Sequence, residues 1–194
     1  AILVSSIIEK LQQFYPKGHK DILVRRGNES LYEDHPYIRY VWVWDKKQAK
    51  YKSLAGLLRN IRAEEYDYVL NFQRFAASGF LTAFSKGKRK YGFRKNPFSR
   101  QFTRAFSHKI GNGEHETARN QQLIADYTDN KALRPKLHPA ERHFEAVAQF
   151  KAIPYYTIAP TSVWFTKQFP PEKWGELLEA LPEAPVFLLG GPAD

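Results

Sequence analysis

A chain of 194 residues with 43% hydrophobic and 15% aromatic content has enough apolar material for one full domain, or one domain and part of another, and global disorder is excluded. It has no cysteine, which rules out a disulfide framework and thiolate metal sites and fits a reducing compartment. The net charge of +10 is concentrated: nine basic residues (Lys86, Lys88, Arg89, Lys90, Arg94, Lys95, Arg100, Arg104 and Lys109) and no acid lie between positions 86 and 109, leaving the rest nearly neutral.

In chain order, Ser5 to Tyr15 carries Ile7, Ile8, Leu11 and Phe14 near helical spacing and predicts an amphipathic helix ended by Pro16-Lys17-Gly18. Asp21 to Val24 reads as a strand, Gly27 to Asp34 as a short helix, and Tyr40 to Trp44 as an aromatic and β-branched strand. Ser53 is expected to cap a helix with Leu54, Leu57, Leu58 and Ile61 on one face. Strand Asp67 to Leu70, helix Arg74 to Phe84 and strand Lys90 to Phe93 come next. Asn96 to Gly113 is read as irregular or as a loose helix, with Phe98, Phe102 and Phe106 spaced like the buried stripe of a helix. Helices are expected over Glu114 to Tyr127 and Pro139 to Phe150. Tyr155 to Ile158 then opens a strand-turn-helix-strand unit that closes on Val186 to Leu189 and the Gly190-Gly191-Pro192-Ala193-Asp194 turn.

Alternating strands and helices predict an α/β fold with a parallel sheet covered on both faces. A domain boundary is expected near Ala152-Ile153-Pro154, giving domains 1–152 and 153–194. No run approaches the roughly 18 apolar residues of a membrane span, and no basic leader marks a signal peptide. The chain opens on Ala1, lacks methionine and stops at a strand-end turn, so it reads as a fragment or as a sequence with segments missing.

Turns at the C-terminal ends of parallel strands are where α/β folds hold phosphorylated ligands. Thr161, Ser162 and Lys167 after one strand, and Gly190 and Gly191 after the next, offer hydroxyls, a mobile cation and room for a nucleotide; a surface lysine and a simple tight turn explain the same residues. Asn71, Gln73 and Arg74 after the strand ending at Leu70 either face a ligand crevice or cap the following helix. His115 and Arg119, one turn apart, would share a helix face; an ordinary helix-start histidine is the alternative. The basic segment suits a polyanion, whether nucleic acid, an anionic membrane surface or a phosphorylated lipid. The six histidines are scattered and no metal is expected.

The run from Ile158 through Ala159-Pro160-Thr161-Ser162, Lys167 and Phe169-Pro170-Pro171-Glu172-Lys173-Trp174, then Val186 to Asp194, resembles the central segment of glycosyltransferase family 9, the ADP-heptose:lipopolysaccharide heptosyltransferases. Weaker similarity lies at Asp21 to Glu29, Tyr66 to Ser78 and His115 to Asn120. The resemblance implies a GT-B type enzyme: a Rossmann-like acceptor domain lacking its first strand here, followed by the opening β-α-β of a second, donor-binding Rossmann-like domain. It implies inverting transfer of a heptose-like sugar from ADP-heptose to the lipopolysaccharide inner core of a Gram-negative bacterium, without metal or other cofactor. Donor contacts would fall to Lys167, Thr161, Ser162, Gly190 and Gly191, and acceptor contacts to Asn71, Gln73, Arg74, Arg94, Lys95, His115 and Arg119. The family's aspartate base would lie before Ala1, and the later donor motif beyond Asp194, so this stretch alone is expected to be inactive. An acceptor-side lysine of some members is replaced by Ala77. The implied location is the cytoplasmic face of the inner membrane, peripherally bound. Two other classes fit the residues: a nucleic-acid-binding α/β protein that uses 86–109, and a non-catalytic homologue that binds nucleotide-sugar or glycolipid.

Overall fold

The structure, a computed structural model, describes residues 1–46, 50–162 and 164–191; Val163 and residues 192–194, which fall in the turns after the last two expected strands, lie outside that set. The chain divides into two units, Ala1–Pro139 and Ala140–Asp194. The division falls ahead of the helix Glu141–Ala148 rather than after it. Phe150, just beyond that helix, meets Phe187 of the second unit edge-on at 5.0 Å between ring centroids.

The first unit is built on period-2 strands whose two faces both find helices. Strand β1 (Asp21–Arg25) pairs in parallel with β2 (Tyr40–Trp44), Asp21 opposite Tyr40 and Arg25 opposite Trp44. Ile22, Val24, Val41 and Val43 pack on one side with Ile8 of helix α1 (Ser5–Phe14) and with Tyr32. Leu23, Trp42 and Trp44 pack on the other with Leu54, Leu57 and Ile61 of α2 (Lys50–Ala63) and Leu81 of α3 (Ala76–Phe84). A second parallel ladder runs β3 (Tyr68–Asn71), β4 (Arg89–Phe93), β5 (Arg104–Phe106). Tyr66 joins the two ladders: its hydroxyl donates to Asp21 Oδ2 at 2.5 Å and accepts from Trp42 Nε1 at 3.3 Å.

Four elements differ from expectation. The helix expected over 27–34 is a single 3₁₀ turn, Glu29–Leu31, entered through Gly27 at φ 92, a left-handed backbone that breaks helical continuity. Helix α2 includes Lys50 to Lys52, so Ser53 lies inside it; lysine and tyrosine sit well enough in a helix that the capping preference of Ser53 does not set a start there. The 96–113 stretch holds a 3₁₀ turn, Ser99–Gln101, and strand β5 in place of a helix. Pro97 disfavours helical backbone at Asn96, and the Asn96 side chain accepts the Phe98 amide hydrogen, so the local bonds favour a turn. The three phenylalanines separate accordingly: Phe98 meets Phe80 and Phe84, Phe102 lies on Gly92, and Phe106 meets Tyr91. Helix α4 (Glu116–Gln121) is shorter than expected and is followed by a 3₁₀ turn, Ala125–Tyr127.

The second unit follows the expected order. Helix α5 (Glu141–Ala148) leads to β6 (Tyr156–Ile158); helix α6 (Pro171–Ala180), with proline at its first position, crosses over to β7 (Val186–Leu188), parallel to β6. Among the described residues no helix is long and apolar enough to cross a membrane.

Candidate functional site

Because β3, β4 and β5 are parallel, their C-terminal ends share one edge. Asn71, Gln73 and Arg74 leave β3 there, Arg94 and Lys95 leave β4 there, and the loop to His115 and Arg119 leaves β5 there. The topology therefore puts Asn71, Gln73, Arg74, Arg94 and Lys95 at one strand-end edge, while His115 and Arg119 lie further along the chain that leaves β5. One side chain stitches two of these loops, and sequence reasoning missed it. Asn96 is buried; its Nδ2 donates to the carbonyls of Gln73 (3.1 Å) and Phe75 (3.0 Å), while its Oδ1 accepts from the Phe98 amide (3.0 Å). The Asn96-Pro97 pair directly after an apolar strand is the turn signal that marks it.

Asn71 does not cap helix α3, whose N-cap residue, Phe75, has no side-chain bond. Its Oδ1 accepts from the Gln73 amide at 2.9 Å, and its buried Nδ2 has no protein acceptor among the described residues. Arg74 and Lys95 are exposed, and neither pairs with an acid among the described residues. Arg94 is also exposed, with Nε donating to the Ala105 carbonyl at 3.2 Å, which fixes the stem of the side chain against β5.

His115 and Arg119 do not act as a free pair on one helix face. His115 is the N-cap of α4, its Nδ1 accepting from the Thr117 amide at 3.3 Å. Arg119 turns back on its own loop, donating from Nε to Glu116 Oε2 at 2.8 Å and from NH1 to Asn112 Oδ1 and the Glu114 carbonyl. A guanidinium fork with acceptors so close in sequence ties the loop down. Glu116 also faces His108 Nε2 at 3.0 Å. Burial raises the Glu116 pKa, but the bonds from His108 and Arg119 outweigh it and hold the carboxyl below its usual range.

The basic segment is not one surface. Strand β4 runs through it, so Lys86, Lys88 and Arg89 lie at one end and Arg94 and Lys95 at the other, separated by about 17 Å of extended chain. At the first end Lys88 pairs with Asp67 (2.8 Å), Arg89 donates to the Tyr68 hydroxyl (2.9 Å) and Arg104, at the start of β5, pairs with Asp126. A groove of about 500 Å³ between α2 and α3, lined by Arg59, Arg62, Phe80 and Lys86 among others, contains none of the candidate residues.

In the second unit, β6 and β7 likewise end at one edge, and the Leu189 amide donates to the Ile158 carbonyl at 2.7 Å to hold the two turns side by side. Thr161 and Ser162 follow β6; Gly190 and Gly191 follow β7. Ser162 Oγ accepts from the Trp164 amide (3.2 Å), and the Ser162 carbonyl accepts from Gln168 Nε2 (2.8 Å). Lys167 closes the 3₁₀ turn Phe165–Lys167, exposed and without an acidic partner among the described residues. Thr161 and the glycine pair thus lie just past the ends of β6 and β7, Lys167 lies further along the β6–α6 connection, and the Thr161 hydroxyl has no hydrogen bond among the described residues.

The histidines are not all scattered. His35 and His138 pack with ring centroids 4.6 Å apart, and His138 Nε2 lies 2.7 Å from Glu9 Oε1. No spacing in the sequence announces this group, because its members come from α1, the β1–β2 connection and the end of the first unit.

Residues 54–194 match the model of glycosyltransferase family 9 (heptosyltransferase). No curated protein matches. Among solved structures, the glycosyl transferase family 9 protein of Veillonella parvula DSM 2008 is similar at TM-score 0.83 and 17% identity, covering 100% of this chain and 59% of that one. The E. coli heptosyltransferase WaaC with ADP is similar at TM-score 0.72 and 21% identity, covering 99% and 65%. E. coli ADP-heptose lps heptosyltransferase II follows at TM-score 0.71 and 17% identity, covering 100% and 61%. The chain therefore spans less than two thirds of the length of these structures, and the likeness shows the α/β, GT-B type fold. The matched family model covers most of the chain, from α2 through β7, and on that ground the chain belongs to glycosyltransferase family 9.

Proposed function

We propose that the protein is an inverting glycosyltransferase that moves a heptose-like sugar from ADP-heptose to the phosphorylated inner core of lipopolysaccharide. The observation that carries this reading is the presence of two strand-end edges of different character, one in each unit. The first bears Arg74, Arg94 and Lys95 with the buried Asn71 Nδ2, which has no acceptor among the described residues; the second bears Thr161 and Ser162 after β6 and the glycine pair after β7, with Lys167 in the connection that follows. A two-substrate enzyme needs both: cations for an anionic glycolipid, and turn donors with a mobile cation for a diphosphate. Family membership supports the sugar transfer, and the E. coli WaaC structures with ADP and with ADP-2-deoxy-2-fluoro heptose support the donor class.

In the step proposed, a deprotonated acceptor hydroxyl attacks the anomeric carbon from the face opposite the diphosphate. The new C–O bond forms as the bond to the diphosphate breaks, and ADP leaves with the electron pair. Lys167 neutralises charge developing on the leaving oxygen, and the Thr161 hydroxyl donates to the diphosphate. The transfer itself uses no metal and no cofactor. The cationic edge of the first unit would meet the core phosphates at the cytoplasmic face of the inner membrane, a peripheral contact that needs no spanning helix.

Calorimetry and thermal shift with ADP and ADP-heptose test the reading. ADP is expected to raise the melting temperature, and Lys167→Ala to weaken nucleotide binding about tenfold, equivalent to about 1.4 kcal/mol. Arg74→Ala with Lys95→Ala should leave the ADP shift intact while lowering capture of phosphorylated inner-core glycolipid. Absence of any nucleotide shift, together with transfer unaffected by Lys167→Ala, sinks the proposal.

A further inference from the structure

We infer that Glu9, His35 and His138 form a binding site for one transition-metal dication of the zinc type, a structural clip in the first unit with no part in sugar transfer. Each residue offers one ligating atom, and these atoms all lie within 4.8 Å of one another. A tetrahedral zinc ion with bonds of about 2.1 Å holds its ligand atoms about 3.4 Å apart. The group is therefore within roughly 1.4 Å of closure by that geometry. Glu9 Oε1 and His138 Nε2 are hydrogen-bonded at 2.7 Å, a pair that a shared ion would open to about 3.4 Å. Two imidazoles and one carboxylate are a donor set that zinc accepts readily, with a fourth position left for water.

A second observation points to a ligand independently. His35 is 5% exposed, and its Nε2 is buried with no hydrogen-bond partner among the described residues. A buried imidazole nitrogen without a partner is unfavourable by ~1–3 kcal/mol, so it calls for an occupant. The tyrosine rings of Tyr32 and Tyr37 stand at 6.0 and 5.5 Å from the His35 ring and shield it from solvent.

Two features oppose the ion, and the first sharpens the test. His35 Nδ1 accepts from the Tyr37 amide at 3.2 Å, which puts the proton of the neutral ring on Nε2. Ligation through Nε2 moves that proton to Nδ1 and breaks the Tyr37 bond, so metal loading must be felt at the Tyr37 amide. The Lys136 charge also acts on His35 and opposes a dication; the Glu9 carboxylate offsets it.

The site ties α1 and the β1–β2 connection to residue 138, next to the end of the first unit. A ligand held only by the folded chain raises the melting temperature by mass action. None of the three residues belongs to either strand-end edge, so failure of the metal site and failure of the transferase reading are separate results. The test is calorimetric titration of the chelator-treated full chain with zinc chloride, alongside amide and imidazole NMR. One equivalent is expected, with a higher melting temperature and displacement of the Tyr37 amide resonance. Affinity should fall at least ~100-fold in His138→Gln and in Glu9→Gln, the latter a half-buried carboxylate whose loss leaves the core intact. His35→Gln should abolish binding if it folds; the other two variants decide the matter if it does not. No stoichiometric zinc, equal affinity in Glu9→Gln and His138→Gln, or an unmoved Tyr37 amide each overturns the inference, the second by placing zinc on surface histidines.

Discussion

Asp21 begins β1 and gathers more bonds than any simple strand residue requires. Its carboxylate accepts from Arg39 at 3.0 and 2.6 Å, from the Tyr40 amide at 3.2 Å and from the Tyr66 hydroxyl at 2.5 Å. Burial raises its pKa, but Arg39 and Tyr66 outweigh burial and hold it below the usual carboxylate range. The Tyr66 hydroxyl is pushed up to about 12 by burial and by that same carboxylate. A depressed folded pKa means stability that is complete above the unfolded value near ~4 and lost as pH falls through the folded one. Asp21→Asn should therefore destabilise by about 2 kcal/mol at pH 7 and flatten the acid limb of the stability curve, read as urea midpoints between pH 2 and 7. An unchanged acid slope would remove Asp21 from this role. Gly79 makes a comparable point by packing. Alanine in a helix normally gains up to ~1 kcal/mol over glycine. Here its Cβ would sit 1.9 Å from Oδ1 of Asn96, whose side chain stitches the loops after β3 and β4. Gly79→Ala is thus expected to lose about 2 kcal/mol or more and to weaken glycolipid capture while ADP binding persists; a stabilised variant would show that Asn96 moves freely.

The strands that were plain in the sequence are those whose alternation the helices answer on both sides. Ile22, Val24, Val41 and Val43 meet one layer, Leu23, Trp42 and Trp44 the other, and β1 and β2 form where their β-branched and aromatic runs indicate. Strand β5 was hidden because it is three residues long and begins on an arginine, so it carries no periodicity to detect. What makes it a strand is tertiary: the Arg94 amide donates to the Phe106 carbonyl at 2.8 Å, and Phe102 lies over Gly92. The strand-end positions of Asn71, Arg94 and Lys95 could be read from order alone, whereas the turning-back of Arg119 could not, because it depends on where Glu114 and Asn112 fall in a loop. The β4–β5 contact tests this account. An alanine Cβ at Gly92 would lie 2.6 Å from Phe102 Cε2 and 3.1 Å from the Asn71 carbonyl, so the ring and the neighbouring strand cannot both stay. Gly92→Ala should destabilise by about 2–3 kcal/mol in denaturant unfolding, and pairing it with Phe102→Leu should recover part of that; full additivity of the two losses would refute the contact.

The two units differ in how much apolar surface each removes from water, and this sets how the chain responds to stress. The first unit has two clusters, one around Leu54, Leu57, Ile61 and Leu81 and one around Ile8, Val24 and Tyr32, with Phe93, Leu123 and Ile124 fully buried besides. The second has Ile158 buried, while Trp164 is 66% exposed, Phe165 86% and Leu188 69%. Its ladder is one pair of three-residue strands, and an isolated two-stranded sheet is marginal in water. Local opening free energy follows buried apolar contact, so amides of β6 and β7 should exchange far faster than those of β3 and β4. Hydrogen exchange on the intact chain is expected to show at least ~100-fold lower protection at Ile158, Leu188 and Leu189 than at Leu70 and Tyr91, equivalent to about 2.7 kcal/mol. ADP, if held at the Thr161–Lys167 turn as proposed, should close much of that gap, because a ligand held only by the ordered turns adds its binding free energy to their closed state. Protection in β6 and β7 equal to that in β3 and β4 without nucleotide would show that exposed aromatic surface does not set the stability of the second unit.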